Sequence, residues 1–247
     1  MKIALASAPV LTRDVEHNIA SIQRTLAQCG GKADLVVFGE SFLQGFECLT
    51  WDYETDFSMA VSQTGPQIKQ IREAAKENRT AVSFGYIEKD GDSLYSSQIV
   101  IDAAGHILRN FRRVSAGWKE YWHTDAHYRE GRHFEPFSFG GMTFAIGLCG
   151  DLWAEGKPEE MNALNADIVL WPVWCDYKAA DWNEKIKYAY AEQAAKCGKL
   201  VLYVNPYCAD ANVTDAAAGG AACFQSGTIV KETPAGKSGI LMVEIEK

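Results

Sequence analysis

The feature that most constrains this chain is a series of short, almost unbroken apolar runs: Leu35-Val36-Val37-Phe38, Phe144-Ala145-Ile146, Ile168-Val169-Leu170-Trp171 and Leu200-Val201-Leu202-Tyr203-Val204. Runs of this length without polar alternation are strands of a covered sheet, and the helical stretches between them supply the cover on one face. The pattern predicts strand 2–9, helix 17–29, strand 34–39, helix 66–78, strands 80–87 and 95–102, and an extended 106–113. A polar, aromatic stretch over 114–133 follows, too long to be an idle loop in a compact domain. Strand 142–148, helix 157–164, strand 167–172, helix 180–197, strand 199–205 and extended runs at 221–230 and 239–246 complete the order. This is an α/β chain read as one domain over 1–247, with no linker or repeat to divide it.

A net charge of -8 argues against nucleic acid or an anionic membrane surface as the main partner, because both need a basic footprint. No window approaches the roughly 18 apolar residues of a membrane span. Met1-Lys2-Ile3-Ala4-Leu5-Ala6 runs straight into strand-like sequence without a cleavage pattern, so the chain reads as cytoplasmic. Its seven cysteines are odd in number, dispersed and never in C-x-x-C spacing, which disfavours a disulfide framework and a zinc site.

Chemistry-bearing residues sit where the apolar runs end, the usual location of a site in an α/β protein. Cys149 follows Ile146-Gly147-Leu148 and precedes Gly150, a turn that presents a thiol and lets a substrate approach the backbone. A thiol nucleophile needs a base to take its proton and a cation to hold developing negative charge. Glu40, at the end of Leu35–Phe38, offers a desolvated carboxylate for the first role; the bland alternative is a strand-end cap. For the second, Lys119, Arg112 and Arg113 are available, and Lys119 is preferred because lysine can give and take protons. His123, His127 and His133 superficially resemble a metal-ligand cluster, and a Cys149–histidine pair is a further design that spacing leaves open. Trp51, Trp118, Trp174 and Trp182 point to an aromatic pocket wall or equally to subunit contacts.

Taken together, Phe38-Gly39-Glu40-Ser41-Phe42, the segment from Arg112-Arg113 to Gly131, Leu148-Cys149-Gly150-Asp151-Leu152-Trp153 and Asn205-Pro206 resemble the nitrilase superfamily of carbon–nitrogen hydrolases, in the region of its omega-amidases and carbamoyl amidases. The resemblance implies a four-layer α-β-β-α sandwich of the nitrilase type that dimerises, with no cofactor and no metal. It also implies that Glu40 deprotonates Cys149, which attacks a small amide or carbamoyl compound and passes through a thioester. Four departures stand out: Arg113 falls where the family carries lysine, the family's second, substrate-positioning glutamate has no obvious counterpart beyond Glu120 or Asp125 as stand-ins, Gly39 falls where it commonly has proline, and Gly150 where it often has an aromatic residue. The first is reconciled by letting Lys119 turn back through Gly117 into the site, with Arg113, Glu120, Asp125, Gly150 and Trp174 as substrate contacts. Gly39 is expected to loosen the backbone, and Gly150 to open the pocket wall. Acyl transfer, a nitrile substrate, and a scaffold that binds a small molecule or partner without turnover remain as competing readings.

Overall fold

The computed structural model describes residues 1–246. The first half contains β1 (Lys2–Ser7), β2 (Pro9–Val10), α1 (Val15–Cys29), β3 (Leu35–Phe38), α2 (Tyr53–Met59), α3 (Pro66–Asn78), β4 (Ala81–Asp90), β5 (Ser93–Ile101) and β6 (Ile107–Arg112). The second contains β7 (Phe137–Phe139), β8 (Met142–Ile146), α4 (Lys157–Ala163), β9 (Ile168–Pro172), α5 (Ala179–Asp181), α6 (Lys187–Cys197), β10 (Leu200–Val204), β11 (Tyr207–Cys208), β12 (Ala221–Gln225), β13 (Thr228–Thr233) and β14 (Gly239–Glu244). They form two six-stranded sheets, ordered β14-β1-β3-β4-β5-β6 and β13-β12-β10-β9-β8-β7, and a two-stranded β11-β2 pair.

Because side chains alternate across a strand, each apolar run serves two layers. Ile3, Leu5, Leu35 and Val37 face the second sheet and share its core with Ile146, Leu170 and Leu202. Ala4, Ala6, Val36 and Phe38 pack instead against Ile19, Ile22 and Leu26 of α1 and Ile68 and Ile71 of α3. On the far side, Met161 of α4 and Tyr190 and Ala194 of α6 join the second sheet's core. The result is the expected four-layer α-β-β-α sandwich. Truncating a fully buried side chain in it, such as Phe38, costs about 3–5 kcal/mol.

The structure differs from the sequence reading in a few elements. The run 221–230 is a hairpin turning at Ser226-Gly227, and Phe137–Phe139 is an edge strand paired with β8. The helix expected at 180–197 contains a π-turn at Trp182–Ile186. The stretch 114–133 forms no long element; its Trp118 and Tyr128 are buried with Cys48, Ile87 and Leu94 in a separate small core beside α2. No helix among the described residues is long and apolar enough to cross a membrane.

Candidate active site

Cys149 opens a tight 3-10 turn, Cys149–Trp153, directly after β8. Its φ of 47° lies in the left-handed region, which costs a non-glycine residue energy and persists only where the surroundings enforce it. Here the Trp171 indole donates to the Cys149 carbonyl at 2.9 Å, and the Leu148 N–H is held by Asp151 Oδ2 at 3.0 Å. The thiol faces the Trp174 carbonyl, with Sγ 3.7 Å from the oxygen. Of the seven free cysteines it alone is not buried. The neighbouring Cys175 thiol, burial and the Glu40 charge push its pKa well above the ordinary 9.0, and the Arg113 charge pulls the other way. The resting group is therefore a thiol, and forming the thiolate requires a proton acceptor and a cation.

Both are adjacent. Glu40 follows β3 and is fully buried. Its Oε1 accepts from Arg113 Nη1 at 2.8 Å and from Ser96 Oγ at 3.1 Å, while Oε2 has no protein partner among the described residues. The Glu40 N–H donates across to the Val173 carbonyl of the other sheet at 3.1 Å. Gly39 permits that approach: a Cβ there would lie 2.4 Å from Pro206 Cδ and 2.7 Å from the Val173 oxygen. The expected loosening at Gly39 is thus corrected to a close inter-sheet contact that only glycine allows.

Arg113 follows β6, and the β5–β6 register places it beside Ser96, whose carbonyl accepts the Arg113 N–H at 2.9 Å. It is 4% exposed, with Nε donating to Ser115 Oγ at 3.0 Å. Burial opposes its charge, yet Glu40, Cys149 and Asp151 outweigh burial and hold its pKa above the ordinary 12.5. Lys119 is drawn elsewhere: its Nζ donates to the Tyr128 carbonyl at 2.6 Å and pairs with Glu130 at 2.8 Å. No hydrogen bond or ion pair joins it to Glu40 or Cys149 among the described residues. The cation in contact with Glu40 is thus Arg113 and not the expected Lys119, because the strand register delivers the arginine there and the loop's own acid holds the lysine.

The remaining candidates separate in the same way. Glu120 is exposed along a groove of about 340 Å³ shared with Phe46, Trp51 and Trp122. Asp125 is exposed and pairs with His127 at 2.9 Å. Trp174 is buried, its indole donating to the Asp215 carbonyl, so it meets the thiol through its backbone. His133 pairs with Glu135, and no three His, Cys, Asp or Glu side chains among the described residues are gathered to hold a metal. Gly150 does not leave an open wall: the Arg113 guanidinium occupies the space beside it.

Three contributors were missed by the sequence reading. Asp151 is fully buried, and its Oδ1 accepts the N–H groups of Val114 and Ser115 at 3.0 and 2.7 Å, tying the loop after Arg113 to the turn that carries Cys149. Ser96 fixes Glu40. Cys175 is locked by the Asn205 side chain, which accepts its N–H and donates to its carbonyl, both at 2.9 Å. The carboxylate of Asp151, in an otherwise apolar stretch two residues after the thiol, was the one legible signal.

The comparison that decides the family is a match of residues 2–247 to the carbon–nitrogen hydrolase model. The chain belongs to the carbon–nitrogen hydrolase family. Among curated relatives, it is 34% identical over 171 residues to a cyanide hydratase of Botryotinia fuckeliana, covering 58% of this chain and 42% of that protein. It is 32% identical over 173 residues to a "Hydrolase in pqqF 5'region" of Pseudomonas protegens, covering 70% of this chain and 59% of that protein. The chain spans less than two thirds of the length of these relatives. Among solved structures, a mutant of the amidase from Nesterenkonia sp. AN1, showing acrylamide added at its active-site cysteine, matches 100% of this chain and 93% of its own with a TM-score of 0.78 at 18% identity. The glutamine-dependent NAD+ synthetase of Acinetobacter baumannii matches 98% of this chain and 44% of its own, with a TM-score of 0.79 at 19% identity. At such identities these two matches bear on the fold.

Proposed function

We propose that this chain, as one domain over 1–247, hydrolyses a non-peptide C–N bond of a small amide or carbamoyl compound through a thioester on Cys149. One observation carries the reading: a half-buried thiol, a buried carboxylate with an unpartnered oxygen and a buried guanidinium converge at the ends of β8, β3 and β6. Glu40 takes the thiol proton as the sulfur attacks the carbonyl carbon, and the displaced π pair makes an oxyanion that the Arg113 charge stabilises. The oxyanion collapses, the C–N bond breaks, and the nitrogen leaves as ammonia or amine with the proton Glu40 returns. Glu40 then takes a proton from water, the hydroxide attacks the thioester, the C–S bond breaks and the sulfur recovers its proton. The sum is amide plus water to acid plus ammonia.

The cationic role goes to Arg113 in place of Lys119, which the Glu130 pairing supports. Arginine does not give up its proton near neutral pH, so Glu40 alone must carry protons through both halves. Gly150 and the Trp174 carbonyl remain as the groups nearest the reacting carbon, whereas the exposure of Glu120 and Asp125 removes them from the proposal. The reading also takes the protein as a homodimer, on the family resemblance, and as cytoplasmic, on its sequence pattern; a monomer mass by sedimentation equilibrium would remove the dimer.

The test is ammonia release from a panel of small amides and carbamoyl compounds by wild type, Cys149→Ala, Glu40→Gln and Arg113→Ala. All three substitutions should lose release; unchanged release by Cys149→Ala would sink the mechanism. A second reading, binding without turnover, is favoured by the 2.8 Å ion pair that engages Glu40 with a cation unable to move a proton. It predicts ligand binding with no release from any compound in the panel.

A further inference from the structure

We infer that Gly150 is a positioning residue for Arg113: having no side chain, it seats the guanidinium Nη2 in the space beside the Cys149 thiol. The inference rests on the reading of Cys149 as the nucleophile and adds a residue that reading does not require.

A Cβ built on Gly150 would lie 2.5 Å from Arg113 Nη2, and the next nearest atoms are Arg113 Cζ at 3.6 Å and Ser115 Oγ at 3.7 Å. The conflict is thus with the guanidinium alone. Gly150 is not among the glycines with left-handed φ, so an alanine there carries no backbone strain of its own. Nor can the guanidinium yield freely, because it is buried, with Nε spent on Ser115 and Nη1 on Glu40. Nη2 has no hydrogen-bond partner among the described residues and lies 3.2 Å from where a Cβ on Gly117 would be.

An arginine is longer than the lysine that the resemblance predicts, and its forked head needs volume for the second amino group. Gly150 supplies that volume next to the thiol. Nη2 then presents two unspent N–H donors where negative charge forms on sulfur and on the substrate oxygen, while Nη1 holds the base. Residues 113 and 150 therefore act as one unit, and a side chain at 150 is compatible with the site only if residue 113 is shorter.

The test is a double-mutant cycle on Cys149 alkylation by iodoacetamide near pH 7.5, followed by intact mass, in wild type, Gly150→Ala, Arg113→Lys and the double variant. Alkylation needs no substrate, so failure of the hydrolysis reading would show as absent ammonia release with the alkylation pattern intact. A neighbouring opposite charge lowers a thiol pKa by about 1–3. At a fixed pH below the pKa, each unit by which the pKa rises costs roughly tenfold in thiolate and returns about threefold in nucleophilicity. Gly150→Ala should therefore slow alkylation about three- to thirtyfold, and should slow it no further in the Arg113→Lys background. A wild-type rate in Gly150→Ala, or the same slowing in both backgrounds, overturns the inference. Thermal melting covers loss of folding: Gly150→Ala should lower the midpoint when residue 113 is arginine and not when it is alanine, and equal lowering in both overturns it as well.

Discussion

Replacing Asp151 by asparagine probes the tie between the two halves of the site. Its carboxylate accepts three buried N–H groups, from Val114, Ser115 and Leu148. An asparagine oxygen can keep the first two, but its NH2 group then faces the Leu148 N–H, and one unsatisfied buried donor costs about 1–3 kcal/mol. The cost depends on pH in a defined direction. Burial pushes the Asp151 pKa up from the ordinary 3.8 to about 6, against the pull of Arg113 and of the N–H groups it accepts. A carboxyl with a raised folded-state pKa stabilises fully below its unfolded value, and that contribution is lost as pH rises through the folded value. The span from 3.8 to about 6, at about 1.4 kcal/mol per pH unit, is on the order of 3 kcal/mol. Asparagine has no such titration. Urea unfolding of both proteins between pH 4 and pH 7 should therefore show the penalty of Asp151→Asn shrinking by an amount of that order as pH rises. A penalty independent of pH would refute the reasoning.

Three further perturbations test the surroundings. Glu88 is fully buried and takes Arg112 on both oxygens together with Ser97, Gln63 and Asn110, so Glu88→Ala leaves Arg112 with Asp90 alone and takes the acceptor from the buried Ser97 hydroxyl, and should cost about 1–3 kcal/mol in urea unfolding. Burial works against the Glu88 charge, but Arg112, Ser97 and Gln63 hold its pKa below the ordinary 4.5, so wild type should lose this stabilisation as pH falls through the folded value, and Glu88→Gln should not. Cys175→Ala removes the leading cause of the raised Cys149 pKa and should speed alkylation of Cys149 at pH 7; a slower rate would contradict the assignment. Lys119→Ala frees Glu130 and loosens the 114–133 loop, and should leave ammonia release at the wild-type level if Arg113 is the cation.

The layers and the two strand-end groups were legible because burial leaves a mark on composition: runs with no polar alternation must be covered strands, and Cys149 and Glu40 stand where such runs stop. The cation was not legible. Chemistry favoured Lys119, yet its place is decided by the antiparallel register that pairs Ser97 with Arg112 and so sets Arg113 beside Ser96 and Glu40. A local acid, Glu130, decides where Lys119 goes, and neither fact is carried by residue type or spacing. Gly39 and Gly150 show the same limit. The absence of a side chain at each is visible, but whether the space is empty, pressed by Pro206 or filled by Arg113 depends on elements far away in the chain.

The most direct test of the account is the mass of the protein quenched in acid during reaction with a small amide that releases ammonia. The account predicts an added acyl group on the Cys149 peptide, absent in Cys149→Ala. Ammonia release with no acyl group on Cys149, persisting in Cys149→Ala, would contradict it.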